Sequence, residues 1–138
     1  MNKRLTSMFI PYYLKDNELY VFLQRRNFDA KHPNSLGSFG GGLENEENNE
    51  KALIREISEE LEYTPINYSL LGVFEDDYSI SNYYIEEVKE NFETSISIHE
   101  GKGGEWHLAK KVIGRDDISL NTNNVMQEMI VKIEKSLK

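Results

Sequence analysis

The 138-residue sequence contains no cysteine, which excludes a disulfide scaffold and a metal site built from thiolates. Basic residues are few: 16 lysines and arginines stand against 24 aspartates and glutamates, and the formal net charge is −8. This charge disfavours DNA, RNA and anionic membranes as partners, because all three attract positive surfaces. Hydrophobic runs are too short for a membrane span, and the run after Lys3 and Arg4 is too short for a signal peptide. We therefore expect a cytoplasmic protein, and any polyphosphate ligand would need cations to approach it.

Enough apolar side chains remain for a folded core, since hydrophobic residues make up 38% of the chain and aromatic residues 11%. The sequence has no internal repeat, low-complexity tract or linker, and we expect residues 1–138 to form one domain. Predicted strands cover residues 5–14, 19–24, 36–39, 68–74, 82–88 and 95–98. Unbroken apolar runs in the first two indicate strands that are covered on both faces. Together with two helices, this order predicts an α/β fold with a mixed β-sheet between helices.

The two helices are recognised by their caps and their apolar spacing. The first is predicted to begin at Asn48 or Asn49, because asparagine is a favourable N-cap residue. The last is predicted to be capped by Asn121 and Thr122. Its apolar residues recur at helical spacing and would pack into the core or form a dimer surface, so monomer and homodimer both stay open. They are Val125, Met126, Met129, Ile130, Ile133 and Leu137.

Three consecutive glycines at positions 40–42 lead into the first helix, which carries a dense cluster of glutamates. Successive glycines permit positive φ and close approach of a ligand to the backbone. At about 100° per residue, Glu56, Glu59 and Glu60 fall within an arc of about 100° beside the apolar stripe. Like charges at these spacings destabilise a helix by roughly 0.2–0.5 kcal/mol per pair, whereas a hard divalent cation would reverse the sign. The cluster is therefore either a metal site or the solvated acidic surface of an interaction protein.

Glycine and charged residues recur at fixed intervals from the glycines into the helix. Five residues separate Gly41 from Glu47, and seven separate Glu47 from Arg55. The full set is Gly41, Glu47, Arg55, Glu56, Glu59 and Glu60. This spacing is similar to the signature of the Nudix hydrolases, G-x5-E-x7-R-E-U-x-E-E-x-G-U, in which U is a bulky apolar residue.

The chain departs from this signature at the end of the helix and before the glycines. Glu62 and Tyr63 replace the family's glycine and its last aliphatic residue. Glutamate adopts a left-handed conformation at a higher cost than glycine, so we expect the helix end to be displaced by a residue or two, before Pro65. Phe39 stands where the family often has proline, and we expect it to form part of the substrate-binding wall.

The resemblance implies the Nudix fold, an α/β/α sandwich. It also implies Mg²⁺-dependent hydrolysis of a diphosphate linkage in a nucleoside diphosphate derivative, either a nucleoside triphosphate or another NDP-X compound, with Mn²⁺ as a substitute metal. The implied metal ligands are the Gly40 carbonyl and the carboxylates of Glu56, Glu59, Glu60 and Glu100. Glu100 is assigned by similarity to MutT-type members, in which a glutamate precedes a strand with tryptophan, here Trp106; Glu105 is the alternative.

The residues implied in catalysis are Arg55, Glu56, Glu59 and Glu100. Within this set, Arg55 is expected to pair with Glu47 and to hold the loop against the helix. A general base is also required, and the resemblance leaves Glu56 and Glu100 as the two candidates.

Substrate binding is less defined by the sequence. Arg25 and Arg26 end the second strand, where they are either solvated charges or ligands of substrate phosphates. Specificity is expected to lie in loops 27–35, 75–81 and 90–94, which carry no recognisable motif. Oxidised or ordinary nucleoside triphosphates, sugar nucleotides, dinucleoside polyphosphates and capped RNA ends all remain open as substrates. The alternative function is a non-catalytic Nudix-fold module that binds a nucleotide as a sensor.

Overall fold

The computed structural model describes residues 2–27, 34–99 and 101–137, which form a seven-stranded sheet with helices on both faces. The strands are Arg4–Lys15 (β1), Glu18–Arg25 (β2), Leu36–Gly37 (β3), Phe39–Gly42 (β4), Ser69–Glu75 (β5), Ser79–Glu87 (β6) and Gly103–Leu108 (β7). The helices are Asn49–Leu61 (α1), Ala109–Val112 (α2) and Leu120–Met129 (α3). The chain continues from α3 through a π-helical turn, Ile130–Glu134, and a 3-10 turn, Lys135–Leu137. No helix in these ranges is long and apolar enough to cross a membrane.

The sheet is mixed, as the sequence predicts. Its main path runs β3-β2-β1-β6-β5, with β4 added to β1 and β7 added to β2. The β1–β6 pair is parallel and the other pairs are antiparallel. The β1–β2 hairpin turns at Asp16 and Asn17, whose φ angles of 54° and 63° match a two-residue hairpin turn. The hairpin therefore joins the first two predicted strands through a turn of residues that favour positive φ.

Apolar residues of β1 and β2 pack on both faces of the sheet, which confirms the interpretation of their unbroken runs. Phe9 and Phe22 face α1, whereas the next residue of each strand, Ile10 and Leu23, faces α3. The α1 face buries Phe39, Leu53, Ile57 and Leu61, and the α3 face buries Val125, Met126 and Met129. The result is the predicted α/β/α sandwich, with its core split by the sheet.

The strand predicted at residues 95–98 is wrong. A 3-10 turn occupies Phe92–Ser95, and the following backbone runs alongside the end of α1. Ser97 N donates to Leu61 O (3.0 Å), and His99 N donates to Glu60 O (2.8 Å). The last carbonyls of a helix lack partners within the helix, and this segment supplies donors to two of them.

The start of α1 is confirmed, since the Asn48 side chain caps the helix by accepting from Lys51 N at 2.8 Å. The predicted displacement of its end is wrong. Glu62 itself takes the left-handed conformation, with φ 51° and ψ 43°, and its N–H donates to Ser58 O (3.1 Å). The Glu62 carboxylate lies 2.5 Å from His99 Nε2. These contacts and the adjacent backbone bonds stabilise a conformation that costs glutamate on the order of 1–2 kcal/mol.

The cap of α3 is also corrected. Ser119, not Asn121 or Thr122, is the N-cap residue, and its hydroxyl accepts from Thr122 N at 3.0 Å. Asn121 and Thr122 lie inside the helix and are buried. Serine is as favourable as asparagine at an N-cap, so residue type alone did not show whether the helix begins after Ser119 or after Asn121.

Candidate active site

The glycines form strand β4, which pairs with β1 at the entrance to α1. Gly40 pairs with Met8 and has φ 128°, a conformation available to glycine alone. A Cβ at Gly40 would lie 2.2 Å from the backbone oxygen of Ser7. Glycine is therefore required here both by the backbone conformation and by the close approach of β1.

Arg55 connects the loop before α1 to the carboxylates of the helix. Its Nε and NH2 donate to the two Glu47 oxygens at 2.6 and 2.9 Å, and NH2 also donates to Gly42 O at 3.1 Å. NH1 donates to Glu56 Oε1 (3.0 Å) and to Glu59 Oε2 (3.5 Å). The guanidinium lowers the pKa of Glu47 to about 2. The structure thus places Arg55 in the loop-to-helix pairing that the resemblance implies.

Two of the predicted ligands lie against the glycine strand. Glu60 is only 2% exposed, and its Oε2 accepts from Gly40 N at 2.9 Å. Glu56 lies against the next residue, because a Cβ at Gly41 would come within 2.6 Å of its Oε1. Glu59 is the outer member, with 62% of its side chain exposed. The helix therefore presents two carboxylates to consecutive glycines and a third to solvent.

The chemistry of these donors suits a hard cation. Carboxylate and carbonyl oxygens are the ligands that Mg²⁺ prefers. In the described part of the chain, however, no three acidic or histidine side chains converge as a preformed metal site. The groups closest to such a site are Glu56 and Glu60, which contact neighbouring residues of one strand. The donor types therefore fit the predicted metal, and Glu59, with 62% of its side chain exposed, is the least enclosed of the three carboxylates.

The distal ligand prediction falls on a residue outside the described ranges, Glu100. The chain just before it is held at the helix end by the bond from His99 N to Glu60 O. Glu105, the alternative, is engaged elsewhere: its oxygens accept from Arg25 NH2 and Nε, both at 3.0 Å, and Arg25 lowers its pKa to about 2. The geometry therefore gives Glu105 an ion-pairing role instead.

Of the predicted phosphate ligands, Arg25 is the more heavily engaged with protein groups. Besides Glu105, its NH1 donates to Asp117 Oδ2 (2.8 Å) and to Asn34 O (2.7 Å). These bonds join β2, β7 and the segment before α3. Direct contact with a phosphate would require Arg25 to give up some of them, so its predicted role in substrate binding stays untested.

A cavity of about 690 Å³ lies on the α3 side of the sheet, and its lining includes Met8, which pairs with Gly40 of the glycine strand. It is lined by Met8, Arg26, Asn34, Ser35, Leu36, Gly37, Ser38, Tyr83, Asp116, Asp117, Ile118, Ser119 and Thr122. Arg26 thus lines the cavity. Phe39, predicted to form part of the substrate-binding wall, does not line it: its side chain is fully buried and stacks on Phe22 at 5.7 Å. The sequence did not predict that residues 116–119 line this cavity. The local signal they carry is an acidic pair shortly before Ser119, the N-cap of α3.

A larger cleft of about 790 Å³ lies elsewhere, beside the end of β6. Its lining includes Tyr63 and the buried Glu86 but none of the signature glutamates. Tyr63 donates to Glu86, and burial raises the pKa of Tyr63. The signature glutamates line neither cavity. The smaller one is distinguished by Met8, which pairs with Gly40, and by Ser38, which directly precedes the glycine strand.

Comparisons with known proteins bear on the family and the fold. The profile of the NUDIX domain matches residues 3–125. The 8-oxo-dGTP diphosphatase of Escherichia coli (strain K12) is 35% identical over 89 residues, which are 62% of this chain and 67% of that protein. A MutT/nudix family protein from Enterococcus faecalis superposes with a TM-score of 0.77 at 17% identity, over 98% of this chain and 63% of that one. The NUDIX domain of Shewanella oneidensis NrtR, crystallised with ADP ribose, gives a TM-score of 0.75 at 15% identity, over 96% of this chain and 89% of that one. Because the profile spans nearly all of the sequence, the chain belongs to the NUDIX domain family.

Proposed function

We propose that this protein hydrolyses a diphosphate linkage in a nucleoside diphosphate derivative, with Mg²⁺ as its cofactor and Mn²⁺ as a substitute. The observation that carries the proposal is the contact of Glu60 with Gly40 and of Glu56 with Gly41. Both carboxylates therefore lie against a strand whose glycines allow neighbouring groups to approach the backbone closely.

The residues proposed to hold the metal are Glu56, Glu59, Glu60, Glu100 and the carbonyl of Gly40. A bound divalent cation neutralises phosphate charge and makes water more acidic. Arg55 keeps Glu56 beside the glycine strand by donating to its Oε1 (3.0 Å). The other two guanidinium nitrogens of Arg55 donate to the Glu47 carboxylate. The attacking water must also lose a proton to a base, and Glu56 and Glu100 are the two proposed acceptors.

The cavity of about 690 Å³ is the proposed binding place for the nucleoside, because its lining includes Met8, the partner of Gly40 in the sheet. Its size falls within the range of small-molecule sites. Arg26 at its rim is the proposed contact for a substrate phosphate. The likeness to an 8-oxo-dGTP diphosphatase makes nucleoside triphosphates the first substrates to test.

The test is a panel of nucleoside triphosphates, sugar nucleotides, dinucleoside polyphosphates and ADP-ribose, each assayed with Mg²⁺ and with Mn²⁺. We expect metal-dependent release of pyrophosphate or of a nucleoside monophosphate, and the products will show which phosphorus is attacked. Absence of turnover with every substrate and both metals would contradict the proposal.

Two isosteric variants test the residues. Glu59→Gln and Glu60→Gln are expected to fold and to lose Mg²⁺-dependent turnover, since the amide oxygen at position 60 can still accept from Gly40 N. Glu128→Gln on α3, which removes the same charge away from the glycines, should retain the activity. Full activity of either site variant would refute its assignment as a ligand.

A nucleotide-binding sensor is the second candidate. The likeness to the NrtR domain that was crystallised with ADP ribose supports it. Calorimetry separates the two functions: saturable binding of ADP-ribose by a protein that cleaves no member of the panel would favour the sensor.

A further inference from the structure

Arg4 opens β1 and lies directly against the glycine strand. A Cβ at Gly42 would come within 2.7 Å of Arg4 Nε and within 2.9 Å of its NH2. The guanidinium therefore occupies the space that a side chain at position 42 would fill. The backbone fixes this placement, because Arg4 N donates to Tyr78 O (2.9 Å) and Leu43 N donates to Leu5 O (3.0 Å).

The charge of Arg4 is not used in an ion pair within the described part of the chain. There, Arg25, Arg55 and Arg115 all donate to carboxylates, whereas Arg4, which is exposed, pairs with none. The chain carries 24 acidic residues against 16 basic ones, so carboxylate partners are abundant. A guanidinium without a carboxylate partner, placed on the backbone of an acidic site, is available for an external anion.

Arg4 and the glutamates lie on opposite sides of the same strand. Alternate residues of a strand face opposite sides of a sheet. The Cβ direction of Gly41 points to Glu56, and that of Gly42 points to Arg4. Along β1, Arg4 shares its face with Met8, which lines the cavity beside β3. A ligand that extends from this cavity to the glycine strand therefore has the carboxylates on one side and Arg4 on the other.

We propose that Arg4 is a phosphate-binding residue, whose guanidinium holds an oxyanion of the substrate diphosphate over Gly42. This inference rests on the proposed function and adds a substrate contact from outside the signature. The planar guanidinium suits two parallel hydrogen bonds to a phosphate, whereas lysine would offer a point charge.

The experiment compares Arg4→Gln, Arg4→Lys and Gly42→Ala with the wild-type protein. Loss of a hydrogen bond to a charged group predicts a KM for the nucleotide that rises about tenfold or more in Arg4→Gln, with a smaller rise in Arg4→Lys. Gly42→Ala keeps the charge but displaces the guanidinium, so its KM should rise as well. Lys15→Gln removes a positive charge from the other end of β1 and should leave KM unchanged.

A second measurement distinguishes this inference from the proposed function. Calorimetric titration with pyrophosphate and Mg²⁺ needs no turnover, and its Kd should rise about tenfold in Arg4→Gln, with a weaker dependence on salt. If the wild-type protein binds pyrophosphate but hydrolyses no nucleotide, the proposed function fails while the Arg4 contact is still tested by Kd. Equal Kd and equal kcat/KM in folded Arg4→Gln, or no binding of pyrophosphate by the wild type, would overturn the inference.

Discussion

Replacing Gly41 with alanine adds one methyl group that points at Glu56. The new Cβ would lie 2.6 Å from Oε1, 2.7 Å from Cδ and 2.9 Å from Oε2 of that residue. Side chains do not tolerate contacts this short, so one group has to move. Because all three atoms belong to the far end of a flexible side chain, we expect Glu56 to swing away and the strand to stay in place.

The expected effects on stability and on activity differ. Gly41 does not have a positive φ, so alanine restricts the unfolded chain and stabilises by roughly 0.4–1 kcal/mol. Loss of the 3.0 Å contact between Arg55 and Glu56 offsets this by about 0–1 kcal/mol, as for a partly exposed ion pair. The net change in unfolding free energy is therefore within about 1 kcal/mol. A displaced metal ligand, in contrast, should weaken the apparent Mg²⁺ affinity by roughly 10–100-fold, as loss of supporting contacts does at other metal sites.

Two measurements on Gly41→Ala test this separation: initial rates across a Mg²⁺ titration, and unfolding by urea. Gly72→Ala is the matched control, since its Cβ would meet only the Phe74 ring, with Cε1 at 3.3 Å and Cζ at 3.8 Å, on the far edge of the sheet. An unchanged Mg²⁺ dependence in a folded variant would show that Glu56 does not bind the metal. A variant that fails to fold would refute the steric argument.

Three further predictions concern the backbone and the loop-to-helix pairing. Gly40→Ala should destabilise by at least about 1–3 kcal/mol, because its φ of 128° is strained for alanine and its Cβ would meet Ser7 O at 2.2 Å; a urea midpoint equal to the wild type would contradict this. The pKa of Glu47 is held near 2 by Arg55, below its ordinary 4.5, so its stabilising contribution is complete above about pH 4.5 and is lost as pH falls toward 2. Between pH 6 and pH 3, the free energy of unfolding should fall less for Glu47→Gln than for the wild type. An equal fall in both proteins would count against the pairing of Glu47 with Arg55. Glu62→Gly should raise the melting temperature by a few degrees, because glycine adopts the left-handed cap without strain; a lower melting temperature would indicate that the Glu62 carboxylate matters more than its backbone.

Local signals were enough to predict the elements that position the site. The β1–β2 hairpin follows from turn residues at Asp16 and Asn17, and the start of α1 follows from the capping side chain of Asn48. The mixed sheet follows from the order of strands and helices. For the hairpin and the helix start, the residues that determine the structure are neighbours in the sequence.

Tertiary contacts decided the features that the sequence did not predict. Residues 95–98 alternate like a strand, but the N–H groups of Ser97 and of the following His99 satisfy carbonyls at the end of α1. Glu62 keeps the helix end in place because a segment far along the chain holds it, including His99. Arg25 donates to Glu105 and to Asp117, which are both more than 75 residues away in the sequence. No local sequence pattern predicts these ion pairs.

In the candidate site, too, some residues could be predicted from the sequence and others depend on tertiary contacts. The fixed spacing of the signature led to Glu56 and Glu60, because helical periodicity alone puts them near one another. The cavity walls come from β3 and from residues 116–119, which only the folded sheet brings together. In the sequence Arg4 is merely a charge near the N-terminus, and its contact with Gly42 depends on the pairing of β1 with β4.

The central claim is that the glutamates of α1 bind a divalent metal beside the glycine strand. The most direct measurement is the anomalous difference density of crystals soaked in Mn²⁺. We predict a single strong peak coordinated by carboxylate oxygens of Glu56, Glu59 and Glu60 and by the carbonyl oxygen of Gly40. A peak elsewhere, or no peak while the three carboxylates point into solvent, would contradict the account.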